Sequence, residues 1–223
     1  MSSELELRKK LLAIARKCFR YRLMAGTWGN LSARLDGDRV LATPSGVEKT
    51  SLKLEDLPIM SHDGRVLNGR LRPTTETAMH LEIYCEREDV GAVIHTHSTY
   101  ALVFAVRGEK IPIVTVEAAS AIGHSIPVTR YVRPGSLELA NEVVRTLGEG
   151  SAALIRNHGV VAVGVDLDEA FHTVLLVEEE ARTYYLAKMF GDVSFLDLEE
   201  VEALRRRFLE SYGQSNKRIR IGD

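Results

Sequence analysis

Residues 91–98 read Gly-Ala-Val-Ile-His-Thr-His-Ser. A short β-branched apolar run describes a buried strand, and two histidines at i and i+2 project from the same face where that strand ends. Neutral imidazole is the commonest protein metal ligand, and two from one strand end make half of a site at little ordering cost. An HxH pair on its own is also compatible with plain surface polarity. The next histidine to weigh is His158, in Arg156-Asn157-His158-Gly159, where a second apolar run (Ala152–Ile155) ends beside a glycine that permits close backbone approach. His158 alone would read as a turn residue. Together, His95, His97 and His158 make the three-histidine donor set of a catalytic metal site, with one position left for water or substrate.

Outward from this centre the pattern alternates. A helix is expected over residues 4–24, ending at Gly26. A hairpin follows, Leu31–Leu35 with Arg39–Ala42 around Asp36-Gly37, and a second hairpin around His62-Asp63-Gly64. Helical periodicity covers Thr74–Glu88, Thr99–Val106, Ser136–Leu147, Asp166–Phe190 and Leu196–Tyr212. Asp166 and Glu169 have capping-box spacing at the start of the fourth of these. Strands are expected at Ile111–Val116, Ser125–Thr129, Ala152–Arg156 and Val160–Val165. Interleaved strands and helices without linker or repeat give one α/β domain.

Composition limits the function. The chain has 223 residues, 45% apolar and 27% charged, which excludes disorder and fibrous repeats. With 29 Lys+Arg against 31 Asp+Glu, the net charge of −2 disfavours a nucleic-acid partner. No apolar run approaches the roughly 18 residues of a membrane span, and no signal-peptide pattern opens the chain. Two cysteines, Cys18 and Cys85, supply neither a disulfide framework nor a CxxC site. A soluble cytoplasmic protein is the expectation. The basic Lys217-Arg218-Ile219-Arg220 reads as part of a flexible tail over residues 213–223.

Three further segments are suited to an anion. Gly26-Thr27-Trp28-Gly29-Asn30 and Thr43-Pro44-Ser45-Gly46 combine glycines with hydroxyl or amide groups, and Thr74-Thr75 adds hydroxyls at a helix start. Loop amides and a helix N-terminus can cradle a phosphate without much net charge. Neither GxxxxGK[ST] nor GxGxxG is present, so nucleotide motifs do not account for them. Glu76, just after Thr75, reads either as a helix-dipole residue or as a general base near the histidines. His80 shares its helix face at i+4 and reads as a half-buried polar residue. His62, His124 and His172 are assigned no role.

GTWGNLS, TPSG, PTTE, HTHS and NHG, in this order and at these separations, resemble the class II aldolase/adducin family over nearly the whole chain. The resemblance implies a central, mostly antiparallel sheet flanked by helices. It implies a Zn²⁺ site (or another divalent transition metal) at His95, His97 and His158 with Glu76 as fourth ligand and acid/base. It also implies a phosphate cradle of Thr27, Gly29, Asn30, Ser45, Gly46, Thr74 and Thr75, and a fourfold homotetramer with sites between subunits. The implied activity is cleavage of a phosphorylated sugar, a ketose 1-phosphate such as L-fuculose 1-phosphate, to dihydroxyacetone phosphate and an aldehyde such as lactaldehyde. Tyr212 matches a tyrosine of the C-terminal tail. Where the fuculose-phosphate branch has another tyrosine, this chain has Val116, and Tyr131 is the candidate to replace it. Sibling readings are a methylthioribulose-1-phosphate dehydratase and a pentulose-phosphate 4-epimerase. The epimerase relies on an aspartate that Ala118-Ala119-Ser120-Ala121 lacks. A non-catalytic adducin-like module, expected to lose the metal positions, is the reading from a different class.

Overall fold

The computed structural model describes residues 3–211; Tyr212 and the tail expected at 213–223 lie outside them. Seven strands form one sheet: β1 (Asn30–Arg34), β2 (Arg39–Ala42), β3 (Ile59–Ser61), β4 (Val66–Asn68), β5 (Ala92–Thr96), β6 (Ala152–Ile155) and β7 (Gly159–Gly164). Their order is β4-β3-β2-β1-β5-β7-β6, and every neighbouring pair is antiparallel. β5, the strand carrying His95, lies between β1 and β7 and is buried along its length. Antiparallel pairing therefore brings Asn30 opposite His95 on one side and the β6–β7 turn beside it on the other.

Helices cover both faces. α1 (Glu4–Arg20), α3 (Thr99–Arg107) and α6 (Leu167–Lys188) pack with Leu31, Ala33, Ala92, Ile94 and Ala162 in the larger apolar core, extended by α4 (Val116–Ala121) and α7 (Leu198–Ser211). α2 (Thr77–Glu86) and α5 (Leu137–Leu147) cover the opposite face over Val40, Val93, Val161 and Val163. The alternation of β5 thus supplies both cores from a single strand, Ala92 and Ile94 to one and Val93 to the other. No helix is long and apolar enough to cross a membrane among the described residues.

The elements differ from expectation in three places. α1 stops at Arg20, well before Gly26: Arg22 adopts a left-handed φ of 60°, and Leu23 and Arg22 N–H bond back to Cys18 and Phe19 carbonyls, a Schellman closure. At the start of α6, the Asp166 side chain caps Asp168 and Glu169 N–H, but Glu169 reaches back to Val165 rather than completing a box on Asp166. The strands expected at 111–116 and 125–129 form only isolated bridges, Ile111 with Ile126 and Val128 with Leu154. Pro112 and Pro127 lack the N–H that a ladder needs. Thr115 caps α4, a helix the sequence pattern did not reveal, and the buried Glu180 carboxylate accepts from Val114 and Thr115 N–H and the Thr115 hydroxyl.

Candidate active site

β5 ends at Thr96, so His95 is the strand's last inward residue on the α2 side, and His97 lies one step beyond it. His158 closes the β6–β7 turn, where Asn157 takes a φ of 58°. A Cβ on Gly159 would meet the Thr96 carbonyl at 2.2 Å and the rings of His97 and His95 at 3.0 and 3.2 Å. Only glycine lets that turn approach the two histidines. The three imidazole centroids are 4.8–4.9 Å apart, and one donor atom from each lies within 4.8 Å of the others.

Hydrogen bonding fixes how these rings face. His95 Nδ1 donates to the Val160 carbonyl at 3.0 Å, which turns Nε2 into the cluster, 2.9 Å from His97 Nε2. This is the backbone contact that commonly orients a metal-ligating imidazole. Glu76 stands at the N-terminus of α2 but caps nothing there; its carboxylate turns to the histidines instead. Oε2 accepts from Asn30 Nδ2 at 2.7 Å and lies 3.2 Å from His95 Nε2, while Oε1 lies 3.2 Å from His158 Nε2. Oε1 and His158 Nδ1 are buried without a hydrogen-bond partner among the described residues.

Burial, reinforced by neighbouring His95, pushes His97 down to about 3, His158 to about 4 and His80 to about 3, with Glu76 opposing in each case. All three are therefore neutral near pH 7. Burial raises the Glu76 carboxyl, but His95, His158, Asn30 and His80 outweigh it and hold the group at about 2. Three converging imidazoles, two of them held neutral, an ionised carboxylate and an orphaned carboxylate oxygen form a donor set that could hold a divalent metal ion. His80 is not half-buried as expected but fully enclosed, and lies behind this cluster rather than in it.

The cluster opens into a cavity of about 410 Å³ lined by Thr27, Trp28, Gly29, Asn30, Pro44, Ser45, Gly46, Thr74, Thr75, Glu76, His97, Pro134, Gly135 and His158. The three anion-suited segments converge on it. Ser45 N–H bonds to Arg72 O, and Thr74 N–H bonds to Thr43 O, tying the second loop to the start of α2. Lys49, buried and without a carboxylate partner among the described residues, donates to Thr27 O at 2.9 Å and Val47 O at 3.2 Å, joining the first two loops. Burial lowers its amine to about 8. Trp28 is 67% exposed and stacks at 5.9 Å on His97.

Lys49 has no signal in the sequence, being a lysine in a loop, and Trp28 shows there only as part of the first anion-suited segment, with no role of its own. Pro134 and Gly135, also on the wall, offered none either. Tyr131 does not join the others; it is 61% exposed and outside the cavity wall.

Fold and site together mark the class II aldolase/adducin type, with a three-histidine cluster that could hold a metal ion. The family model described as Class II Aldolase and Adducin N-terminal domain matches residues 9–185, and the chain belongs to that family. It is 35% identical over 208 residues to a 5-deoxy-D-ribulose 1-phosphate aldolase of Bacillus thuringiensis serovar kurstaki, covering 93% of this chain and 97% of that one. An L-ribulose-5-phosphate 4-epimerase of Salmonella paratyphi B is 36% identical over 182 residues, covering 76% of this chain and 79% of the relative. A solved structure of an L-fuculose 1-phosphate aldolase superposes with a TM-score of 0.89 at 34% identity, covering 94% and 98% of the two chains.

Proposed function

We propose that this chain is a zinc-dependent class II aldolase that cleaves a ketose 1-phosphate between C3 and C4, releasing dihydroxyacetone phosphate and an aldehyde. The observation that carries the reading is Glu76: an ionised carboxylate with one anchored and one orphaned oxygen, set against three histidines at the floor of a hydroxyl- and amide-lined cavity. His95, His97 and His158, with Glu76, would hold the metal. When bound, the divalent ion supplies Lewis-acid stabilisation of negative charge on the substrate's oxygens.

The chain's own residues do the rest. Thr27, Gly29, Asn30, Ser45, Gly46, Thr74 and Thr75 hold the phosphate by hydroxyl, amide and backbone N–H donors, and Lys49 keeps the first two of their loops together. As the C3–C4 bond breaks, the electron pair stays with C3 and the C4 hydroxyl proton passes by way of solvent to the ionised Glu76 carboxylate, leaving the aldehyde carbonyl. Glu76 delivers a proton to C3; in synthesis it removes the same proton. A carboxylate within reach of several donors but saturated by only one is suited to both directions.

Full-length similarity to a 5-deoxyribulose 1-phosphate aldolase favours a 5-deoxypentulose 1-phosphate, with acetaldehyde as the second product, alongside L-fuculose 1-phosphate with lactaldehyde. The reading includes a cytoplasmic single-domain chain assembled as a homotetramer with sites between subunits. In that assembly Tyr131 serves a neighbouring cavity rather than its own, and Tyr212 lies outside the described residues. A coupled assay for dihydroxyacetone phosphate, run over these substrates with EDTA and then Zn²⁺, tests the proposal. EDTA-sensitive release restored by zinc is expected. Water loss without C–C cleavage would mean a dehydratase, inversion at C4 an epimerase, and no turnover with zinc bound an adducin-like module.

A further inference from the structure

Behind the cavity wall, Asn30 leads into a line of polar side chains, His80, Ser32 and Tyr84, that the proposed chemistry does not use. Asn30 Oδ1 lies 2.6 Å from His80 Nε2, His80 Nδ1 lies 2.6 Å from Ser32 Oγ, and Ser32 Oγ lies 2.8 Å from the Tyr84 hydroxyl. Ser32, His80 and Tyr84 are at most 1% exposed, Asn30 5% and Glu76 8%. Buried polar groups must satisfy one another, and here they do so in one continuous line.

Donor chemistry gives the line a direction. The Glu76 carboxylate only accepts, so Asn30 presents its NH₂ to Oε2 and its carbonyl to His80. That carbonyl only accepts, so His80 carries its proton on Nε2. Burial keeps the ring neutral, so Nδ1 is bare and accepts from the Ser32 hydroxyl. Ser32 Oγ in turn accepts from Tyr84, whose ring is covered by the Arg34 guanidinium at 4.9 Å. A flipped Asn30 would set its carbonyl against the carboxylate and a donor against His80 Nε2–H.

We propose that Tyr84, Ser32 and His80 are positioning residues that lock the Asn30 amide, so that Oε2 of Glu76 is anchored and Oε1 alone is left to move the proton. The inference rests on the proton-transfer role given to Glu76 above. It goes further by assigning which carboxylate oxygen acts and what fixes it.

The test pairs kinetics with a measurement on metal-free protein. Nitrogen NMR of histidine-labelled apoprotein should show His80 as the Nε2–H tautomer, with Ser32→Ala producing a tautomer mixture. Partners behind ligand and catalytic groups typically contribute about 10–100-fold. In zinc-loaded enzyme, His80→Leu should lower kcat by about that factor, Ser32→Ala by less and Tyr84→Phe least. KM should stay within about twofold throughout. His80→Gln, which retains an N–H donor, should recover part of the loss. If His80→Leu fails to fold, the Ser32 and Tyr84 variants and the NMR carry the test. The opposite tautomer, a rise in KM at unchanged kcat, or a Tyr84→Phe effect larger than that of Ser32→Ala would overturn the relay. An active Glu76→Gln would instead remove the proton-transfer role, while the tautomer measurement would still stand as a separate result.

Discussion

The two faces of β1 do different work with adjacent residues. Leu31 and Ala33 enter the larger core beneath α1 and α6, where burial of apolar surface is the entire contribution. Asn30 and Ser32, alternating with them, face α2 and build a hydrogen-bonded line that ends on Glu76. The first face is tolerant of shape-conserving change. The second is not, because each member's removal strands a buried partner. One strand therefore ties the site to the middle of the sheet, between β2 and β5, and the contrast predicts that stability and turnover can be damaged separately.

The largest effect should come from the end of the polar face. Glu76→Gln keeps size and removes the acid/base, so kcat for release of dihydroxyacetone phosphate should fall about 10²–10⁴-fold. The variant should remain folded by circular dichroism. Leu31→Ala should do the reverse. A fully buried leucine lost from the core costs about 2–5 kcal/mol in denaturant unfolding, with activity per folded molecule retained. Equal losses of activity and stability in either variant would erase the distinction between the faces.

A smaller effect separates the faces by pH. His97, His158 and His80 have folded values lowered to about 3–4 from the ordinary 6.5, so the unfolded chain takes up protons that the folded chain refuses. Their contribution is complete above pH 6.5 and is lost progressively as pH falls toward 4 and below; the lowered Glu76 adds to the loss below its ordinary 4.5. Thermal melts of metal-free protein should therefore show Tm dropping from pH 7 to about pH 5. His80→Leu should flatten that slope, whereas Leu31→Ala should lower Tm evenly at every pH.

The smallest effect expected concerns the loop bridge. Lys49→Met removes the donor to Thr27 and Val47 carbonyls, and the two unpaired carbonyls should loosen the cradle. KM for the sugar phosphate should rise several-fold with kcat little changed, as steady-state kinetics would show.

Which of these features could be seen in the sequence follows from the range of the physical signal. The HxH at the end of Gly91–His95 and the turn at Asn157-Gly159 were legible because a β-branched run and a left-handed turn residue act within a few positions. Glu76 and the three loops were legible as chemistry, though only the antiparallel order of β1, β5 and β7 brings them together. The segment 111–129 was misread because apolar alternation suggested strands where Pro112 and Pro127 forbid a ladder. What holds it instead is Glu180, more than 60 positions away. The relay was illegible for the same reason: Ser32, His80 and Asn30 are linked across 48 and 50 positions.

The most direct test of Glu76 beside a three-histidine metal set needs no aldehyde at all. Dihydroxyacetone phosphate incubated with zinc-loaded protein in deuterium oxide should exchange one hydrogen of its hydroxymethyl carbon. EDTA should stop that exchange, added zinc should restore it, and Glu76→Gln should lack it. Exchange that persists in Glu76→Gln, or its absence from the zinc-loaded wild type, would contradict the assignment.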